Sequence, residues 1–241
     1  MLAYRLAPRT HVCATDDGAV LLDVEDDKYL SLDPNQACAL SLVVDEWPSV
    51  KGGEPSRIDE GCALELARGL YERGLLVPAT APGSQDVSLS APPRLAPLEL
   101  ELIPWCEMSS CHVNLRYVLR FLQSVLSAAL MLKFMPLSAI VERARRRRES
   151  CAEGRPFDAE AARKLVGVYT HLRPFLYGQK GRCLLDSLAL LEFLARDGVY
   201  PTWVVGVRVH PFGSHSWLQH QAFILNGTPA YARAYTPILV V

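Results

Sequence analysis

The sequence predicts an α+β protein in two parts, and three observations carry that reading. Short β-type runs separated by acidic turns open the chain and give way to helical spacing. A stretch rich in Pro, Ser, Ala and Gly then interrupts it at residues 79–97, and beyond that stretch the chain ends in the order helix, then antiparallel strands. Half of the 241 residues are hydrophobic and 21% are charged, which is enough apolar material for a core in each part and too little charge for a disordered chain.

In the first part, THVCA (10–14), AVLLDV (19–24) and KYLSL (28–32) are apolar runs rich in β-branched or aromatic residues, divided by Asp16-Asp17-Gly18 and Glu25-Asp26-Asp27. Acidic and glycine turns between such runs predict a three-stranded antiparallel meander. Asp33-Pro34 predicts a helix start, with the aspartate as cap and the proline in the first turn, and apolar spacing carries that helix from Asn35 to Trp47. A second helix is expected from about Arg57 to Arg73, stopped by Gly74, and Leu75-Leu76-Val77 closes the unit. These features delimit a domain at 1–78, a linker at 79–97 and a second domain at 98–241. Within the second, a helical region runs from Asn114 to about Arg148 with a break near Pro136, and Asp158 caps a further helix. Residues 182–196 form an apolar-striped helix ended by Asp197-Gly198. Trp203–Val209 reads as a buried strand, with further strands at Ser214–Gln219 and Ala222–Asn226.

Charge is divided between the parts. Residues 1–80 hold 7 Lys+Arg against 14 Asp+Glu, a net of −7, and the remainder 18 against 12, a net of +6. Two docking domains or two different partners fit that split, as does plain surface composition. The five arginines of Arg143–Arg148 read either as a solvated helix face or as a docking surface for an acidic partner. The overall net charge of −1 and the acidic first part argue against a nucleic-acid partner, because phosphate contacts need Lys and Arg. Seven cysteines without a CxxC pair are not a disulfide framework and suit a reducing cytosol. The first residues lack a signal-peptide pattern, and the uncharged run Phe121–Leu132 is too short to span a bilayer, so a cytoplasmic protein without a membrane span is expected. His210, His215 and His220 recur at a spacing of five, which alternates faces along a strand, and no Cys/His spacing resembles a zinc site, so no metal is expected; Cys106, Cys111 and His112 form only a loose cluster.

Cys183 opens the apolar helix after Gly181-Arg182. The free amides and dipole of a helix N-terminus favour a thiolate, and the same amides can bind a developing oxyanion. His215 lies in Gly-Ser-His-Ser-Trp on the strand after the buried one and shares a face with Trp217 and Gln219. A cysteine opening a helix packed on a histidine-bearing strand is the arrangement of a Cys–His pair. A small buried cysteine and a histidine packed beside a tryptophan are the structural alternatives.

Taken together, Cys183-Leu184, Trp203-Val-Val-Gly206-Val207-Arg208, Phe212, Ser214-His215-Ser-Trp217 and Leu225-Asn226 resemble the B proteins of lasso-peptide biosynthesis, which are transglutaminase-like, papain-related cysteine peptidases. The first domain resembles the PqqD-like precursor-recognition element. The resemblance implies a winged-helix-like recognition domain fused to a papain/transglutaminase-like peptidase domain. It also implies that the protein cleaves the leader from a ribosomally made precursor without a cofactor, with Cys183 as nucleophile, His215 as base, and an ATP-using, asparagine-synthetase-like lasso cyclase as partner. The leader is expected to add a strand to Lys28-Tyr29-Leu30-Ser31-Leu32, facing Leu64, Ala67, Arg68 and Tyr71 of the following helix. The family places an Asp directly after an Asn on the strand following the histidine; this chain reads Asn226-Gly227, so Asn226 is the candidate to orient His215 through its carbonyl oxygen. Gln179, four residues before Cys183, is the candidate oxyanion donor. A binding-only scaffold and a transglutaminase-like acyltransferase are the other functions that fit.

Overall fold

The computed structural model describes residues 4–51, 60–79, 95–98, 100–101, 113–152, 159–178 and 181–241. They fall into two compact units: Met1–Arg94 with Val207–Ser214 and Thr236–Leu239, and Leu95–Gly206 with His215–Tyr235 and Val240–Val241.

The first unit begins with β1 (Tyr4–Leu6) and the expected meander of β2 (Thr10–Thr15), β3 (Gly18–Asp23) and β4 (Lys28–Leu32), antiparallel and in that spatial order. The centre strand β3 is buried at all six positions. Helix α1 (Pro34–Leu40) starts where Asp33-Pro34 predicts. The Asp33 carboxylate accepts from the Asn35 and Gln36 amides at 2.9 Å each, and the Gln36 side chain accepts from the Asp33 amide at 3.1 Å, a complete capping box. The helix stops at Leu40 rather than Trp47 because Val43-Val44 are taken by β1. Tyr4 N donates to Val43 O (3.1 Å) and Asp45 N to Tyr4 O (2.8 Å), so a β-branched pair goes to strand pairing although its spacing is helical. Helix α2 (Glu60–Glu72) ends at Gly74, whose amide returns to Tyr71 O at 2.8 Å. Strand β5 (Leu76–Pro78) then pairs antiparallel with β1. Leu21, Leu40, Ala63, Ala67, Leu70 and Leu76 form the centre of this unit's core.

Strand β6 (Leu100–Glu101) precedes α3 (Leu115–Phe134), which is capped by Asn114 accepting from the Tyr117 amide at 3.0 Å. Pro136 divides α3 from α4 (Leu137–Ala152), as the sequence predicts. Then follow α5 (Ala159–Leu172), a 3-10 turn (Arg173–Phe175) and α6 (Cys183–Ala195). By length and composition α3 is long and apolar enough to cross a membrane, with a mean hydropathy of 1.3, but a third of it is buried. Helix α3 packs on α6, with Tyr117 6.5 Å from Phe193 between ring centroids, and Tyr169 of α5 lies against both helices, 5.3 Å from Phe121 and 5.7 Å from Phe193. Buried Arg120 lies over the Phe193 ring and pairs with Asp197 at 2.6 Å just past the end of α6, fastening the two helices.

A five-stranded sheet completes the chain: β7 (Thr202–Arg208), β8 (Gly213–His220), the short β9 (Phe223–Ile224), then α7 (Pro229–Ala232) and β10 (Thr236–Val240), in the order β10-β7-β8-β9-β6. The sequence did not point to β10 because Pro237 lies within it; as an edge strand it tolerates a missing donor. Gly206 is demanded by packing. A Cβ there would come within 2.8 and 2.9 Å of the Trp217 ring and 3.0 Å of Tyr235 Cβ. Trp217 is 2% exposed, so its ring has no free space into which to retreat. Gly206→Ala is therefore expected to destabilise the protein by ~1–3 kcal/mol, seen as a lower midpoint in chemical denaturation with little change in slope.

Candidate active site

Cys183 is the first residue of α6, half-buried. Arg182 precedes it as cap residue, its carbonyl accepting the Asp186 amide at 2.9 Å but its side chain making no capping bond. No side chain of the cap therefore occupies the first-turn amides, and the helix's positive end stands beside the thiol. The expected oxyanion donor Gln179 lies outside the described residues.

His215 sits on β8 with Trp217, as alternation predicts, and the two rings stack with centroids 5.8 Å apart. Tyr231 of α7 meets the imidazole edge-on at 4.8 Å, and Tyr235 approaches at 5.3 Å. The tyrosines hold each other through a 3.0 Å hydroxyl–hydroxyl bond. This aromatic surround is absent from the sequence-level picture because α7 and the turn after it carry no motif. Burial in it pushes the imidazole down to about 4, opposed by the negative charge of Asp186. His215 is thus neutral near pH 7 and able to accept a proton. Among the described residues no hydrogen bond joins Cys183 to His215, and none reaches either imidazole nitrogen.

Asp186 is the residue that sequence reasoning missed. One turn after Cys183 on the same helix, it is 1% exposed, yet it carries four polar partners. Tyr177 donates to Oδ1 at 3.0 Å, with Tyr169 at 3.3 Å from the same oxygen. Arg173 pairs with Oδ2 at 3.4 Å, and Asn226 Nδ2 donates to Oδ2 at 3.1 Å. The signal was present in Cys-Leu-Leu-Asp-Ser-Leu-Ala-Leu-Leu: an acid flanked on both sides by apolar residues of a helix is a candidate for burial, and a buried acid needs partners.

Asn226 departs from its expected role. Its carbonyl oxygen accepts from the Leu218 amide at 2.7 Å, and its amide group donates to Asp186 and to Ser187 Oγ, each at 3.1 Å. It faces helix α6 and fastens it to β8, and it makes no hydrogen bond to His215 among the described residues. The neighbouring Gly227, where the resembled family has its acid, has φ +111°, a backbone conformation that L side chains rarely adopt. An aspartate fits there only if the backbone changes.

In the first unit, Lys28, Tyr29 and Leu30 line a groove of about 330 Å³ together with Asp23, Arg73 and Leu75. Strand β4 is the outer strand of its sheet. Lys28 is paired with Asp26 at 2.9 Å. Of the other residues expected to meet a peptide, Ser31 is exposed, as are Leu64 and Tyr71; the Tyr71 ring lies 6.0 Å from that of Tyr4. Arg68 pairs with Glu72 along α2 at 3.2 Å. Ala67 and Leu32 do not face a ligand. Both are buried in the unit's core, because their positions fall on the inward faces of α2 and β4. Among the described residues no group of three or more His, Cys, Asp or Glu is placed to hold a metal ion.

Residues 125–240 match the transglutaminase-like superfamily, and the chain carries a domain of that superfamily over this span, of cysteine-peptidase-like or acyltransferase-like type. The span includes Cys183, Asp186, His215 and Asn226. No curated protein and no solved structure matches the chain.

The thiols differ sharply in setting. Cys13 is buried within the first unit's sheet, and that burial pushes its thiol up to about 12, whereas Cys183 is half-buried at a helix N-terminus. Brief iodoacetamide treatment of the folded protein at pH 7.5 should alkylate Cys183 and spare Cys13, as read by peptide mass spectrometry.

Proposed function

We propose that this protein is a cysteine peptidase that removes the leader from a ribosomally made lasso-peptide precursor. The observation that carries the reading is Cys183 at the open N-terminus of α6, in one transglutaminase-like domain with a neutral, proton-accepting His215. In this reading the Cys183 sulfur attacks the carbonyl carbon at the leader–core junction while its proton passes to His215. The oxyanion is received by the first-turn amides of α6. The imidazolium then protonates the departing amine, which leaves as the N-terminus of the core, and the leader remains as a thioester on Cys183. Water, deprotonated by His215, hydrolyses the thioester and restores the thiol. No cofactor enters this sequence.

The first unit supports substrate capture. An outer β4 beside a groove lined by Lys28, Tyr29 and Leu30 suits an extended peptide that adds a strand, as a PqqD-like, winged-helix-like element would use it. The freed core amine is the group that a separate ATP-using lasso cyclase would consume. One observation favours a second reading, a precursor-binding scaffold with little turnover: Gly227 stands where the resembled family has its acid.

Precursor incubated with the protein and followed by mass spectrometry separates the readings. Free leader and core are expected from the wild type and neither from Cys183→Ala, which should still bind precursor. Untouched peptide identifies the scaffold, and a cross-linked product identifies an acyltransferase. Tyr29→Ala should raise KM several-fold with little change in kcat.

The pH profile provides a separate check. A base with its midpoint near 4 loses competence only as it charges, so the acid limb of kcat/KM should fall near pH 4 rather than near 6.5. Removing aromatic cover with Tyr231→Ala relieves desolvation and should move that limb upward.

A further inference from the structure

We propose that Asp186 is the acid that supports His215 in this chain, a positioning residue supplied by the nucleophile's own helix in place of an acid on the strand after the histidine. The geometry has three parts. Asp186 follows Cys183 by three residues, so the two share a face of α6 within its first turn. Its carboxylate is tied to the histidine's strand through a single side chain, because Asn226 donates to Oδ2 at 3.1 Å and accepts from the β8 amide of Leu218 at 2.7 Å. The place of the usual acid is Gly227, at a φ of +111°.

The groups around both partners define what the carboxylate can do. Facing His215 are the rings of Trp217 of β8, Tyr231 of α7 and Tyr235. The negative charge of Asp186 acts on the imidazole against the larger effect of burial, and it favours the protonated ring. Facing Asp186 are Tyr169 of α5, Arg173 of the 3-10 turn, Tyr177, and Asn226. Arg173 offsets part of its charge, and at 1% exposure the rest is less screened than a surface charge would be. Both carboxylate oxygens are engaged by other groups, so Asp186 acts by its field and not by a hydrogen bond to the ring. During reaction the thiol proton moves from Cys183 Sγ to His215, creating an imidazolium where burial opposes one. A fixed negative charge already in place lowers the free energy of that state without reorganising. The two tyrosines and the arginine hold the carboxylate where it is.

This proposal deepens the peptidase reading and rests on it for its role in catalysis, but its test has an arm independent of activity. NMR of His215 as a function of pH reads its midpoint directly in the full-length protein. Asp186→Asn keeps the shape and removes the charge; the His215 midpoint should fall further below that of wild type, and kcat for precursor cleavage should drop at least tenfold with KM little changed. Tyr177→Phe breaks the same network but leaves the charge, and should leave the midpoint near its wild-type value. Arg173→Gln removes the offsetting cation and should move the midpoint upward, so it provides the test if Asp186→Asn does not fold. A folded Asp186→Asn protein with an unchanged midpoint overturns the proposal, as does an Arg173→Gln protein whose midpoint does not rise. A wild type that cuts no precursor ends the peptidase reading and leaves the midpoint measurements to decide Asp186.

Discussion

A carboxylate that is 1% exposed sits one turn into α6, and much of the second unit is arranged to keep it there. Withdrawing a charge from water carries a desolvation penalty of several kcal/mol, and leaving it without partners after folding costs about 3–5 kcal/mol. The structure answers with four groups from four places: Tyr169 on α5, Arg173 in the 3-10 turn, Tyr177 beyond it, and Asn226 after β9. Each is a constraint on chain path. Helix α5 must present a tyrosine inward, the chain must turn at Arg173 to bring the guanidinium down, and the segment after β9 must swing its amide toward the helix. The same requirement fixes the position of α6's first turn, which begins with Cys183.

The histidine's surroundings follow an opposite logic. Around Asp186 every oxygen is satisfied, whereas around His215 the contacts are rings. Gly206 makes room for Trp217, Trp217 stacks on the imidazole, and Tyr231 and Tyr235 close over it. Aromatic burial without a charged hydrogen-bond partner favours the neutral ring. A neutral imidazole accepts a proton readily in the sense of availability, but the imidazolium it becomes is poorly stabilised by its immediate neighbours. The buried carboxylate of Asp186 opposes that effect in part, so the two environments are read as a pair.

The first unit solves a different problem with less polar chemistry. Its centre strand β3 is fully buried, while β4 is left on the outside beside a groove with both charged and apolar lining. An outer strand is a hazard unless it is short, charged or used. Here it is five residues long, with Lys28 paired to Asp26 and Tyr29 half-buried, so the edge is short and guarded by charge.

The amino-acid sequence by itself determined what depends on neighbours along the chain. Asp33-Pro34-Asn35-Gln36 specifies its own capping box, Pro136 its own helix break, Gly74 its own stop, and the acidic and glycine turns between the first three apolar runs their own meander. Cys183 at a helix start and His215 beside Trp217 were legible for the same reason. Only the tertiary structure decided features in which a residue answers to partners distant in sequence. Val43-Val44 have helical spacing but pair with β1, since a strand partner satisfies their backbone groups as well as a helix would and suits β-branched side chains better. Asn226 follows strand spacing but turns its amide to Asp186, forty residues earlier, because a buried carboxylate needs donors more than a histidine packed among rings needs an orienter. Asp186 itself was visible as an acid in an apolar helix. Its place in the site depends on Arg173, Tyr169, Tyr177 and Asn226 converging from separate segments, and a residue's electrostatic surroundings exist only after the chain has folded around it.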